Sequence, residues 1–184
     1  PVCAVLFFAL ALRGALALQD VLVVGVGLGG WLAAEIATKN STRLSRLVMA
    51  NAVGVKIGDR ETRDIADIWA LMPDEFNALA YADPKVGEHD YKNLPEAESL
   101  AAARNREAYA RRAWSPYMHN PKLKNRLHRL KLPTQFLWGM ADRVLSEQYG
   151  HDECRQIDGA KTPRRGHAGH IPPPQPPAKT GPRD

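Results

Sequence analysis

Residues 21–30 read Val-Leu-Val-Val-Gly-Val-Gly-Leu-Gly-Gly. A short apolar, β-rich run breaks into glycines, the pattern of a strand buried on both faces that ends in a tight turn. Two readings of the turn lead to different chemistries. As G-x-G-x-x-G, with Gly25, Gly27 and Gly30, it cradles a pyrophosphate: the glycines supply the bend, the close backbone approach and the helix–strand packing. As G-x-S-x-G, with Gly25, Gly27 and Gly29, it is a strand-to-helix elbow that lifts a nucleophile above a sheet, with glycine where the serine would stand.

The flanking residues separate the two. Residues 31–38 are Ala-rich and helix-forming, residues 40–42 (Asn-Ser-Thr) end that helix, and residues 47–50 form a second short apolar strand. Strand, glycine turn, helix and strand make a βαβ unit, which predicts a parallel sheet with right-handed crossovers. A dinucleotide site needs an acid at the end of the second strand to hold the ribose hydroxyls. That strand ends at Met49-Ala50-Asn51, and the next acid is Asp59. The elbow reading asks instead for an acid on a turn after a later strand and a base on a loop beyond it. Asp142, just past the apolar residues 133–138, and His170, in a Gly-flanked loop, meet that order.

The intervening chain differs in character. Helical patterns over 59–71, 73–81 and 94–113 are punctuated by Pro73, Pro84, Pro95 and Pro116, and no strand pattern accompanies them. This predicts a helical insertion. Residues 121–130 read as a helix capped by Asn120 with Pro121 in its first position, and residues 133–138 as a strand ending at Gly139. The proline-rich stretch 172–177 reads as extended or disordered.

With these motifs in place the chain resembles the α/β-hydrolase family from about residue 18 to 178. Gly25 to Ala34 is similar to its G-x-S-x-G-G elbow and small-residue helix. Trp138 to Val144 resembles its W-G-x-x-D-x-V acid motif, and Ala168 to Pro172 its A-G-H-x-P histidine motif. The resemblance implies an α/β fold: a partial core with a mostly parallel sheet from 1–54 and 121–184, and a helical cap from 55–120. It implies cleavage of a small hydrophobic carboxylic ester or related carbonyl substrate by a nucleophile–Asp–His triad. His170 would be the general base, Asp142 its orienting acid and the Leu28 N–H the oxyanion donor, with no metal or organic cofactor. A non-catalytic small-molecule-binding protein on the same fold is the alternative, and a dinucleotide-binding oxidoreductase the remaining reading.

The chain departs from the family's pattern in three places. Gly27 holds the nucleophile position and has no side chain, so the turn should survive while the chemistry is lost or impaired. The family's first strands lie upstream of the elbow, where only about 20 residues stand here, so residues 21–24 are expected at a sheet edge and open to self-association. Residues 161–166, Lys-Thr-Pro-Arg-Arg-Gly, make a poor strand to lead into the histidine loop, so that loop is expected to be badly placed, and His167 is a rival base.

Composition bounds the rest. The 184 residues suffice for one domain with a real core, and 45% apolar and 24% charged residues are ordinary globular values. The net charge of +5 is concentrated at 104–131 and after 161. The first region reads as solvated helix faces, with no nucleic-acid motif beside it. Cys3 and Cys154 make no disulfide framework, so a reduced, cytoplasmic setting is the simpler expectation. Residues 2–12 are apolar but too short to span a bilayer, and Arg13 falls on the wrong side for a secretion signal. A buried helix or core segment is expected there, and no membrane partner. His151, Cys154, His167 and His170 approach zinc-finger spacing, but prolines disfavour the helix they would need. Trp69, Trp114, Tyr117 and Met118 are expected mostly in the core of the insertion.

Overall fold

The first three strands hold the apolar, β-rich stretches of the sequence, and each is followed by a helical or turn segment that returns the chain to the same end of the sheet. In a computed structural model, which describes residues 10–11, 14–88 and 93–171, β1 spans Val21–Val26, α1 Leu28–Lys39 and β2 Leu44–Ala50. The insertion carries α2 at Pro73–Ala80 and α3 at Glu96–Ala113, with 3-10 turns at Pro84–Gly87 and Lys124–Arg129. Then come β3 at Thr134–Gly139, α4 at Glu147–Cys154 and β4 at Lys161–Gly166. The strands lie in the order β1-β2-β3-β4 and all pair in parallel. This is the α/β architecture with a parallel sheet that the βαβ pattern implies. Most of the apolar run 2–12 and all of the stretch 172–177 lie outside the described residues.

The core forms where α1 lies over the sheet. Trp31, Ala34 and Ala37 of α1 are buried against Leu47 and Met49 of β2 and Phe136 of β3. Glu35 is also buried on α1, at 2% exposure, and is held by Lys39, Arg126 and the Asn120 side-chain amide. A buried carboxylate is tolerated only when paired in this way.

Four sequence expectations need correction. β1 is not buried on both faces: Leu22, Val24 and Val26 are 54%, 59% and 44% exposed. Their side chains point away from α1, and among the described residues nothing covers that face. The strand stands at one end of the sheet order among the described residues. Residues 59–71 do not form a helix. The Asp59 carboxylate takes the N–H groups of Glu61 and Thr62, and Asp64 takes those of Ile57 and Gly58. Short acidic side chains thereby replace helical acceptors, and Ile65 pairs instead with Leu145 in an antiparallel bridge. Residues 121–130 form a turn and the second 3-10 segment, not an α-helix. Asn120 does accept from the Lys122 N–H as a cap, but its amide donates to Glu35 and ties the segment to α1. Finally, 161–166 is a strand in spite of Pro163, pairing with β3 with a register break between Gln135 and Leu137. As the end strand beside β3 it has one unpaired edge, where a proline costs no ladder bond.

Candidate active site

Gly27 stands between β1 and α1 with φ 52° and ψ −115°, a backbone conformation that disfavours side chains and suits glycine. Its N–H donates to the Ala50 carbonyl at the end of β2, and its carbonyl accepts from Gly30, Trp31 and Val53. The turn is thus locked to both strand and helix. Leu28 and Gly29 open α1, where the first N–H groups of a helix have no acceptor within it and the dipole is positive.

The acid follows β3. Asp142 Oδ1 accepts the N–H groups of Val144 (2.8 Å) and Leu145 (2.9 Å), and Oδ2 lies 2.9 Å from His170 Nδ1. The Asp142 side chain has no exposed surface and that of His170 has 11%. A carboxylate accepts and does not donate, so the contact puts a proton on Nδ1 and leaves the Nε2 lone pair of the neutral ring facing outward. That atom faces Gly27. A Cβ placed on Gly27 would lie 3.4 Å from Nε2 and 3.9 Å from Cε1, with no other side chain or distant backbone within 4 Å.

The histidine loop is well held, contrary to the expectation from residues 161–166. Met140 and Ala141 donate to Gly166 and Ala168, and Ile171 donates to the Ala80 carbonyl at the end of α2. Gly169 passes so close to residues 80–82 that a Cβ there would run into the Ala80 carbonyl oxygen and, at 2.8 Å, the Ala82 nitrogen. His167 is exposed, and among the described residues it is His170 that meets Asp142. The zinc-like residues are occupied separately: His151 meets Glu147, Cys154 donates to the Lys161 carbonyl, and His170 meets Asp142.

Two features escaped the sequence. Asn51, which the sequence marked only as the wrong residue for a ribose-binding acid, joins all three parts of the site. Its amide donates to the Gly169 (2.9 Å) and His170 (3.1 Å) carbonyls, and its Oδ1 accepts from the Gly139 N–H (2.8 Å). It sits at φ 42°, where asparagine is among the few tolerated residues. The second is a cavity of about 230 Å³ over Gly27, lined by Val26, Leu28, Ile68, Phe76, Tyr109, Val144, His170 and Ile171. Ile68, Phe76 and Tyr109 come from the insertion. Trp69, Trp114, Tyr117 and Met118, expected mostly in the core of the insertion, do not line it: Met118 is buried, Trp69 packs edge-on against Tyr109, and Trp114 is 57% exposed. Trp114 and Tyr117 border instead a larger hollow of about 450 Å³ away from His170, where Lys56 pairs with Asp64 and Arg63 with Asp67. Burial pushes the Tyr109 phenol well above its ordinary range, so it stays protonated. Among the described residues, no helix is long and apolar enough to cross a membrane.

No family model matches the sequence, and no curated protein matches it. Solved structures do match. A membrane phospholipase A described as a bacterial virulence factor aligns with TM-score 0.69 and 18% identity over 93% of this chain and 57% of its own. A putative lipase from Acinetobacter baumannii aligns with TM-score 0.65 and 16% identity, over 93% of this chain and 61% of its own. An alpha/beta hydrolase from a sediment metagenome of the Mar Chica lagoon, Morocco, aligns with TM-score 0.59 and 16% identity, over 92% and 61%. This chain therefore spans about three-fifths of the length of such structures. At these identities the likeness speaks for the fold, and a fold does not fix a reaction. With the parallel sheet, the Gly27 turn and the order of Asp142 and His170 behind it, these alignments show that the chain has the α/β-hydrolase fold.

Proposed function

We propose that this chain descends from a carboxylic-ester hydrolase, and that it keeps the acid–base pair and acyl cavity of that site while lacking the nucleophile. The observation that carries the reading is the 3.4 Å between His170 Nε2 and a Cβ built on Gly27. A serine hydroxyl one bond beyond that Cβ comes within hydrogen-bond reach of the base. The histidine is thus aimed at a reacting atom that glycine does not provide. The apolar lining favours a small hydrophobic acyl group, the α1 N-terminus with the Leu28 N–H favours a developing oxyanion, and the insertion over the cavity acts as a cap. Ester cleavage through a covalent acyl-enzyme is lost.

Turnover of p-nitrophenyl acetate and butyrate by the full chain and by Gly27→Ser tests this. The wild type should show no acyl-enzyme burst and no labelling by a fluorophosphonate. The serine variant should show both, with kcat raised by at least about 10³ and up to about 10⁶. A wild-type burst, or a serine variant that stays unlabelled and no faster while remaining folded, would sink the reading. The second reading, a protein that binds a small apolar molecule without consuming it, is favoured by the cavity's apolar lining. It predicts that such a ligand raises the melting temperature of the wild type and is recovered unchanged.

A further inference from the structure

We propose that His170 and Asp142 activate water directly, making the chain a slow single-displacement esterase that forms no covalent intermediate. This rests on the reading of the cavity as an acyl site, and it goes beyond it: loss of the serine changes the nucleophile and does not end catalysis.

Glycine differs from alanine here. Around the Cβ position of Gly27, the contacts within 4 Å are the imidazole atoms Nε2 and Cε1. Removing a serine's CH₂OH frees a volume comparable to the roughly 30 Å³ share of one water in the liquid. A water oxygen between the Cβ and hydroxyl positions lies within general-base reach of Nε2, which is about 2.6–3.2 Å. Asp142, fixed by two backbone N–H groups, holds the proton on Nδ1 and stabilises the imidazolium that forms. The cavity lining offers no competing nucleophile. It contains no serine, threonine or cysteine, and its one hydroxyl-bearing residue, Tyr109, stays protonated.

The step balances with water as the only co-reactant. The water oxygen bonds to the ester carbonyl carbon while its proton passes to Nε2, and the carbonyl oxygen becomes the oxyanion at the α1 N-terminus. Collapse of the tetrahedral species breaks the bond to the alkoxy oxygen, which takes the proton back from Nε2. Acid and alcohol leave, and the imidazole is neutral again. Without the entropy advantage of an attached nucleophile, the reaction is confined to esters with good leaving groups and short apolar acyl chains.

The test is steady-state and stopped-flow hydrolysis of p-nitrophenyl butyrate by the full chain. Release should be linear from the first turnover, and mass spectrometry should find no acylated protein. His170→Ala and His170→Gln should each lower the rate by about 10²-fold or more, the usual worth of a positioned base. Gly27→Ala, whose methyl fills the water's place, should lower it similarly, and His167→Ala should leave it unchanged. Melting curves establish that each variant is folded. Should Gly27→Ala not fold, the two His170 variants and the absence of a burst decide the matter. A wild-type rate equal to that of His170→Ala overturns the proposal while leaving the acyl-site reading to the Gly27→Ser result. A burst with an acyl adduct overturns both.

Discussion

Two buried carboxylates, in the loop after β3 and in α4, meet opposite environments. Asp142 lies among donors: the N–H groups of Val144 and Leu145 and the His170 ring. Glu153, on the face of α4 turned to the core, is wholly buried, and neither oxygen has a hydrogen-bond partner. Burial pushes the Glu153 carboxyl well above the usual range, so it is held neutral. A buried acid is thus put to use only where donors surround it, as backbone N–H groups and an imidazole do at Asp142 and side-chain cations and an amide do at Glu35. Elsewhere it is a protonated liability.

The strongest way to break this contrast is at Asp142. Asp142→Ala strands the two N–H groups and leaves the imidazole without its orienting partner. Removing one member of a buried charged hydrogen-bonded set costs about 3–5 kcal/mol, which urea denaturation would read directly. Asp142→Asn keeps the size and one acceptor and should cost less stability. In a Gly27→Ser background it should still lower kcat by about 10⁴, because the amide can hold the ring in the wrong tautomer. Equal stability of wild type and Asp142→Ala would show that the site does not depend on the acid.

Asn51 sharpens the comparison, since it does with a neutral amide what Asp142 does with a charge. Asn51→Ala leaves the Gly139 N–H and the Gly169 and His170 carbonyls short of a partner, and places alanine at φ 42°. At about 1–3 kcal/mol for an orphaned buried group, with strain added, a loss of about 2–4 kcal/mol is expected. In the Gly27→Ser background, Asn51→Asp should fall in kcat more than in KM, because a carboxylate repels the two carbonyls it faces and shifts the His170 loop. An unchanged kcat would mean that Asn51 holds the fold and not the site.

Asn51 also marks where the sequence stopped being legible. The strand–turn–helix at Gly25 to Ala34, Asp142 after a strand and His170 after Gly169 each follow from local patterns, and the structure brings all three together. What local rules missed depends on contacts between distant residues. Asn51 acts over 88 to 119 positions of sequence separation. Residues 161–166 become a strand because β3 presents a partner, against the propensity of Pro163 and two arginines. Residues 59–71 have a helical pattern but lose their helix to the carboxylates of Asp59 and Asp64, and the long-range pairing of Ile65 with Leu145 completes the choice. The cavity-lining Ile68, Phe76 and Tyr109 lie in a segment whose apolar spacing reads as ordinary helix core, so nothing local distinguishes them.

Glu153 gives the smallest effect and the one with a sign to check. Its carboxyl pKa is higher folded than unfolded, so the folded state holds a proton that the unfolded chain releases as pH rises. Its contribution is intact below the ordinary carboxylate range and is lost as pH climbs toward the raised folded value, at most about 1.4 kcal/mol per pH unit. Glu153→Gln removes the titration and should flatten the wild type's decline in stability between pH 5 and 8. Glu153→Met also removes the unpartnered polar atoms and should raise stability near pH 7 by about 1–3 kcal/mol, a few degrees in melting temperature for a chain of this size. The same pair at pH 4 should differ from wild type far less. If Glu153→Met is instead destabilising at both pH values, the carboxyl has a partner after all, and the contrast with Asp142 is one of degree.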